Sequence, residues 1–420
     1  MNDKESKNLT SILVWLCITA FYCYQYILRT LPNIIMPDIM STYGVGSAEI
    51  GSFSGVYYVV YIIVHIPIGV LLSRFGAKIV LPICIVCTAI GLIPLVYFDQ
   101  WWIVVLGRAF TGIGSSAAAV GALQMFRILY PDKFARVLGM TVSLGLVTTV
   151  YVGTLLSESI QAIGLNSTIN VLLYLGIGLA IPTYLLIPKS TNQVSHNNVW
   201  SDIKGVICNY KLLLTSMFAG LMVGPLEGFA DAWGSAVIIT VHHIEKITAD
   251  SIVFSILLGM CAGCIILPYV ADKTKSYFGT TIFSAFAMAG CFIYMLIYRD
   301  LSVEALYITC IIVGIFSAYQ IIMISKIATF VPIARSGIAA ACANMIITAF
   351  GWFFHNSIGM SLEHFWDGKM INGTKYYNSA AYIKSISIIP MAMGVAIVGL
   401  FVISVTQYAK SRNTEKLAVE

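Results

Sequence analysis

The chain has 420 residues, is 59% hydrophobic and only 10% charged, and has a mean hydropathy of +0.87. That composition excludes a soluble globular protein and indicates an all-α protein that crosses a membrane many times. The net charge of +5 requires no nucleic-acid partner, because the placement of the basic residues is a topology signal.

The first ten residues are polar. The apolar run that begins at Ser11 ends without a small-residue cleavage pattern, so it is expected to remain as a helix. Twelve stretches follow, each with the roughly 20 apolar residues needed to cross about 30 Å of hydrocarbon. They cover 11–37, 49–72, 78–97, 101–126, 135–160, 166–187, 211–240, 248–269, 278–298, 303–327, 335–360 and 384–408. A polar stretch between Ile187 and Lys211 divides them six and six. The expected halves are 1–190 and 211–420, joined by a linker at 191–210. On the side shared by both termini lie 17 Lys and Arg, against 5 on the other. That bias places both termini in the cytoplasm. The outer loop between spans 11 and 12 is polar, through Glu363, Trp366, Asp367 and Asn372.

All ten Cys fall in or beside spans, so structural disulfides are not expected. Cys261 and Cys264 have CxxC spacing but lie inside an apolar helix, where they read as small packing residues. Asn372-Gly373-Thr374 matches a glycosylation sequon by pattern only. No phosphate-binding Gly-Lys loop, metal cluster or nucleophile constellation is present in the sequence, so no cofactor, metal or enzymatic activity is expected.

Four ionisable residues fall inside spans: Arg29, Arg108, Glu227 and Asp231. A charge at the centre of a membrane helix costs roughly 2.5–3.5 kcal/mol on insertion scales and is retained where it faces a partner or a water-filled cavity. Both cations are in the first half and both carboxylates in the second. Arg29 follows Gln25 by one helical turn, with Tyr22 and Tyr26 near the same face. A guanidinium there can hold a substrate carboxylate at two points between aromatic walls. Arg108, about seven residues into span 4, can meet an anionic substrate or tune a nearby carboxylate. Snorkelling to the outer headgroups is the structural alternative for both. Glu227 and Asp231, spaced by four, should share one face of span 7, where one of the two would hold a proton. Gly224-Pro225, with Gly228 and Gly234, predicts a broken helix there. Tyr57, Tyr58 and Tyr61 in span 2, Tyr319 and Gln320 in span 10, and Asn344 in span 11 are further candidates for the cavity wall. Gln320 and Asn344 lead, because an amide in lipid needs a partner. His65, beside Pro67, is a possible protonation site, with a neutral, satisfied imidazole as the alternative.

Gly69-Val-Leu-Leu-Ser73-Arg74-Phe-Gly76-Ala-Lys78 resembles the loop 2–3 signature of the major facilitator superfamily, and Arg108-Ala-Phe-Thr-Gly112-Ile-Gly114 is similar to its span 4 motif. The resemblance implies twelve helices in two six-helix halves that rock in alternating access. It also implies a conformational role for Gly69, Arg74, Gly76 and Lys78. Ser73 stands where that family usually has Asp. A weaker counterpart of the same turn is Asp272-Lys273 after span 8, with Pro268 in the place of Gly69. Tyr24-Gln25-Tyr26-Ile-Leu-Arg29 with Pro32, and Glu227-Gly-Phe-Ala-Asp231-Ala-Trp233-Gly234, resemble the phagosomal transporters of intracellular bacteria, a group implicated in amino-acid and nucleoside uptake. Gln25 stands where that group often has an acid.

The expected function is a secondary active transporter of the inner membrane, in which Arg29 and Arg108 hold a carboxylate. Glu227 or Asp231 meets an ammonium group or carries a coupling proton. The expected partners are a small solute, a proton and the bilayer, with an amino acid as first substrate. An organic anion or nucleoside carrier, or a membrane receptor that moves nothing, are the alternatives.

Overall fold

The computed structural model describes residues 3–45, 47–188, 199–332, 335–371, 374–375 and 377–417. Its helices are α1 (Asp3–Tyr43), α2 (Ser47–Ile63), α3 (His65–Phe75), α4 (Ala77–Ile90), α5 (Ile93–Tyr97) and α6 (Trp101–Leu129). Next come α7 (Phe134–Ile163), α8 (Leu165–Leu186), α9 (Val199–Ile207), α10 (Tyr210–Gly220), α11 (Gly234–His242) and α12 (Lys246–Thr274). The chain closes with α13 (Tyr277–Ile297), α14 (Val303–Ser317), α15 (Tyr319–Ile327), α16 (Ser336–His364), α17 (Ser379–Ile386) and α18 (Ile388–Leu417). Two two-residue strands, Met370–Ile371 and Thr374–Lys375, pair as a small hairpin before α17. Among the described residues ten helical stretches are long and apolar enough to cross a membrane, and the bent pair α2–α3 makes an eleventh. The 30-residue α7 lies where the fifth span is expected. The sequon residue Asn372 and residues 191–198 of the expected linker lie outside the described residues, while 199–207 of that linker form helix α9.

The chain divides into two compact units. One contains Met1–Cys208 with Val331–Met345, and the other Asn209–Phe330 with Ile346–Glu420. The first fifteen residues from Val331 thus group with the first unit, whereas sequence alone assigned them to the second half. α16 is shared: its start belongs to the first unit and the rest to the second.

Prolines explain the breaks. Pro67 has no N–H, so the Ile63 carbonyl four residues back loses its helical donor. The axis bends by 47° at that point, between Gly55–Ile63 and His65–Phe75. Span 3 breaks at Gly91–Leu92, just before Pro94. Span 7 breaks between Gly220 and Gly224-Pro225, as the sequence predicts. It then resumes as a π-helix over Gly224–Trp233, in which Gly234 N–H donates to the Phe229 carbonyl five residues back.

Small residues let helices approach closely in both units, as is usual for membrane helices. In the first unit, a Cβ added at Gly112 of α6 would lie 2.8 Å from the Tyr57 carbonyl of α2. In the second, one added at Gly259 of α12 would overlap the Ile311 carbonyl of α14. Span 4 against span 2 and span 8 against span 10 are thus closed by the same device.

Gly76 joins α3 to α4 with φ at +77°, a conformation that L side chains avoid. Its neighbour Lys78 donates from Nζ to the Ile187 carbonyl at the end of α8, 3.0 Å away, and lies 5.1 Å over the Tyr184 ring. A cation there satisfies an orphan carbonyl and complements the helix dipole. Replacing Gly76 by Val should therefore destabilise the first unit by about 1–3 kcal/mol, since φ +77° with ψ 158° is a region essentially restricted to glycine. Thermal unfolding of the purified protein in detergent checks this, and equal midpoints for parent and Gly76→Val would contradict it.

Candidate substrate site

The interior of the first unit is organised by a proline. Pro32 lies within α1 and cannot donate to the carbonyl of Leu28, four residues back. Arg108 of α6 takes up that carbonyl: Nη1 donates to Leu28 O at 2.7 Å and Nη2 to Arg29 O at 3.1 Å. Only 4% of Arg108 is exposed. Its guanidinium lies 4.3 Å from the Tyr57 ring centroid and 5.5 Å from that of Phe53, within cation–π range. Nε is sealed from solvent without a protein partner. Beside it is a cavity of about 10 Å³, lined by Leu31, Pro32, Phe53 and Thr111 among others, which is room for about one water. The sequence singles out Arg108 as a substrate contact or a snorkelling cation. In the structure its two terminal nitrogens bolt α6 to α1.

Arg29 is placed differently. It is half-buried, and its Nε donates to the Tyr58 hydroxyl at 3.2 Å. The guanidinium carbon is 5.0 Å from the Tyr58 ring and 5.7 Å from the Tyr26 ring. The expected aromatic walls are present, with Tyr22 and Tyr26 5.3 Å apart.

Span 2 supplies a ladder at a spacing of four: Phe53, Tyr57, Tyr61 and His65. Tyr57 is fully buried, and its hydroxyl donates to Gln25 Oε1 at 3.0 Å. Gln25 is itself 1% exposed, so this bond satisfies an acceptor that would otherwise be sealed in apolar surroundings. Tyr57 and Tyr61 stack with centroids 5.7 Å apart, and Tyr61 meets His65 edge-on at 4.6 Å. His65 Nδ1 lies 2.5 Å from the Tyr61 carbonyl, and Asn344 Nδ2 lies 3.1 Å from His65 Nε2. Within the first unit the structure thus brings together Gln25, Tyr26, Arg29, Tyr57 and Arg108, and places Asn344 against His65 at the other end of the ladder. Phe53 is the member that sequence reasoning missed, although its spacing of four from Tyr57 could have revealed it.

In the second unit, Glu227 lies half-buried on the π-helix against α16, where a Cβ added at Gly351 would sit 3.1 Å from Glu227 Cβ and 3.3 Å from Oε2. Gly351 leaves the room that the carboxylate occupies. Asp231, expected beside it, is exposed. The Tyr319 hydroxyl donates to the Ala219 carbonyl at 2.6 Å and the ring is fully buried, so Tyr319 caps the broken end of α10. Gln320 Nε2 and Trp233 Nε1 are sealed without hydrogen-bond partners. Among the described residues no group of three or more His, Cys, Asp or Glu is placed to hold a metal.

The loop after span 2 has a defined geometry. Ser73 Oγ donates to the Gly69 carbonyl at 2.8 Å, so this hydroxyl is spent within its own helix. Arg74 is exposed. A Cβ added at Gly69 would meet Val120 and Ala341 only at ordinary contact distance. In the corresponding turn after span 8, the Tyr277 hydroxyl donates to Asp272 Oδ1 at 2.6 Å.

The sequence profile of the Major Facilitator Superfamily matches residues 18–355, and the chain belongs to that family. It is a multi-pass membrane protein. It is 28% identical over 215 residues to the inner membrane transport protein YajR of Escherichia coli, covering 46% of this chain and 47% of that one. It is 23% identical to a nitrite extrusion protein of Bacillus subtilis, with 51% and 53% covered. To the choline/ethanolamine transporter flvcr2a of Danio rerio it is 25% identical, with 66% and 63% covered. The chain spans about half the length of the bacterial relatives it matches. In fold it is similar to the transporter FucP in the outward conformation, with a TM-score of 0.76, 9% identity, and 94% and 99% of the two chains covered.

If Arg108 bolts α6 to the carbonyl that Pro32 leaves open, its value should depend on Pro32. Arg108→Lys keeps the charge but loses the two-carbonyl fork, and should destabilise the protein by about 1–3 kcal/mol. In a Pro32→Ala background, Leu28 O regains a helical donor and the same change should cost at least about 1 kcal/mol less. Unfolding midpoints of the four proteins check this. An equal cost in both backgrounds would contradict it.

Proposed function

We propose that the protein is a proton-coupled carrier that moves a small zwitterion, with an amino acid as the first substrate class, across the bacterial inner membrane by alternating access. The observation that carries this reading is the division of charge. The first unit presents Arg29 in a tyrosine cradle, where a carboxylate would be gripped by a planar donor fork. The second presents the half-buried Glu227 on a π-helix, and such irregular segments recur at functional sites. Arg108 acts indirectly, by holding the α1 segment that carries Gln25, Tyr26 and Arg29. Asn344 adds a half-buried amide in the first unit, and Gln320 one in the second.

The relatives agree on carriage and differ in cargo. Their names cite nitrite in one case and choline or ethanolamine in another. An organic anion is the second reading, favoured by Arg29 alone, with the acids then serving only protons. A nucleoside carrier and a receptor without transport are further outcomes of the same test. Orientation follows the Lys and Arg bias, which supports cytoplasmic termini. A reporter active only in the cytoplasm should function when fused after Gln193 and fail when fused after Asn372. The reverse pattern would overturn that topology.

The coupling role is assigned to Glu227. Glu227→Gln mimics the protonated acid, so it should retain binding and exchange of a labelled amino-acid mixture in proteoliposomes while losing accumulation driven by a pH gradient. Accumulation at the parent level would move the proton to Asp231 or His65. No uptake of the mixture by the parent protein would remove the amino-acid reading itself.

A further inference from the structure

Resting on the substrate reading above, we propose that His65 is a positioning residue. It fixes the sense of the Asn344 amide so that Asn344 offers the solute an acceptor and selects for an ammonium group.

The chain of constraint starts from an oxygen that can only accept. The Tyr61 carbonyl lies 2.5 Å from His65 Nδ1, so Nδ1 must carry the proton. In the neutral imidazole, Nε2 is then a lone pair. Asn344 Nδ2 lies 3.1 Å from that lone pair and donates to it. Turning the amide over would set Oδ1 against Nε2, acceptor against acceptor. A carbonyl at position 61 thus decides the orientation of a side chain 283 residues later.

His65 is 1% exposed and is gripped on both ring nitrogens, while the Tyr61 ring abuts it edge-on at 4.6 Å. Its ring is therefore locked, as hydrogen bonds to the second nitrogen lock a metal-ligating histidine. Asn344, by contrast, is half-buried. Its Oδ1 accepts no hydrogen bond from any described residue and is not among the polar atoms sealed from solvent. The oxygen is open, and its orientation is set. A fixed acceptor welcomes an N–H of the solute and repels a second carboxylate, which gives Asn344 the opposite preference to Arg29.

The test has two arms, both on the full-length protein. In the first, protein with ¹⁵N-histidine in lipid nanodiscs is measured by solid-state NMR at pH 7, with the His65 signals assigned by their loss in His65→Gln. The expected result is a protonated Nδ1 and an unprotonated, hydrogen-bonded Nε2. Asn344→Leu should shift the Nε2 resonance and leave Nδ1–H in place. A proton on Nε2, or an Nε2 resonance that Asn344→Leu does not move, would overturn the proposal.

In the second arm, uptake of a labelled amino-acid mixture into proteoliposomes is competed with the matching acids that lack the amino group. In the parent, the deaminated acids should compete poorly. In His65→Leu the amide can turn, and the gap should narrow by about fivefold or more, the worth of one hydrogen bond. His65→Gln can place Oε1 where Nε2 stood, so it should restore the gap. An unchanged gap in His65→Leu would overturn the proposal. If the parent takes up no amino acid, the substrate reading and the selectivity drawn from it both fail, while the NMR arm still decides the amide's orientation.

Discussion

The site of the first unit depends on a single exchange of hydrogen bonds. Pro32 removes the helical donor from Leu28 O, and Arg108 supplies another from α6. The pairing meets two needs together. A carbonyl buried without a donor costs free energy, and so does a guanidinium buried without acceptors. Two charge-assisted bonds, each of about 1.5–3 kcal/mol, and the faces of Phe53 and Tyr57 offset both. In doing so they fix the stretch of α1 that carries Gln25, Tyr26 and Arg29 against span 2. The two cations thus differ in placement: Arg108 is buried and bonded to backbone, and Arg29 stands half-exposed among tyrosine rings and the Tyr58 hydroxyl.

Much of this was legible in the sequence. The spans follow from hydropathy and the break of span 7 from Gly224-Pro225, whereas the bend at Pro67 and the break before Pro94 are additions of the structure. The aromatic surroundings of Arg29 follow from helical spacing. The partners of Arg108 were not legible. They are carbonyls 79 and 80 residues away, and backbone oxygens carry no sequence signature. For the same reason a buried arginine and a substrate-gripping one look alike in sequence. Asn344 could be singled out as an amide in need of a partner, but that His65 is the partner depends on a contact across 279 residues. The π-helix was half legible: glycine and proline announce a break, but not the five-residue bonding that follows it. Asp231 shares the spacing of Glu227, yet it is exposed.

The two units solve the same packing problem in parallel and differ where they carry polar groups. Gly112 and Gly259 close corresponding helix pairs. After span 2 the serine hydroxyl is absorbed by its own helix, whereas after span 8 a carboxylate is held by Tyr277. Arg29 and Arg108 belong to the first unit, Glu227 and Asp231 to the second.

The central claim is that Arg29 meets a carboxylate of the solute. It is tested most directly by equilibrium binding of the best-competing amino acid and of its carboxamide, to the parent and to Arg29→Gln. The account predicts that the parent strongly prefers the carboxylate form, by roughly 1.5–3 kcal/mol for a charge-assisted bond, and that Arg29→Gln binds the two forms nearly alike. A parent that binds the carboxamide as well as the acid, or a preference that survives in Arg29→Gln, would contradict it.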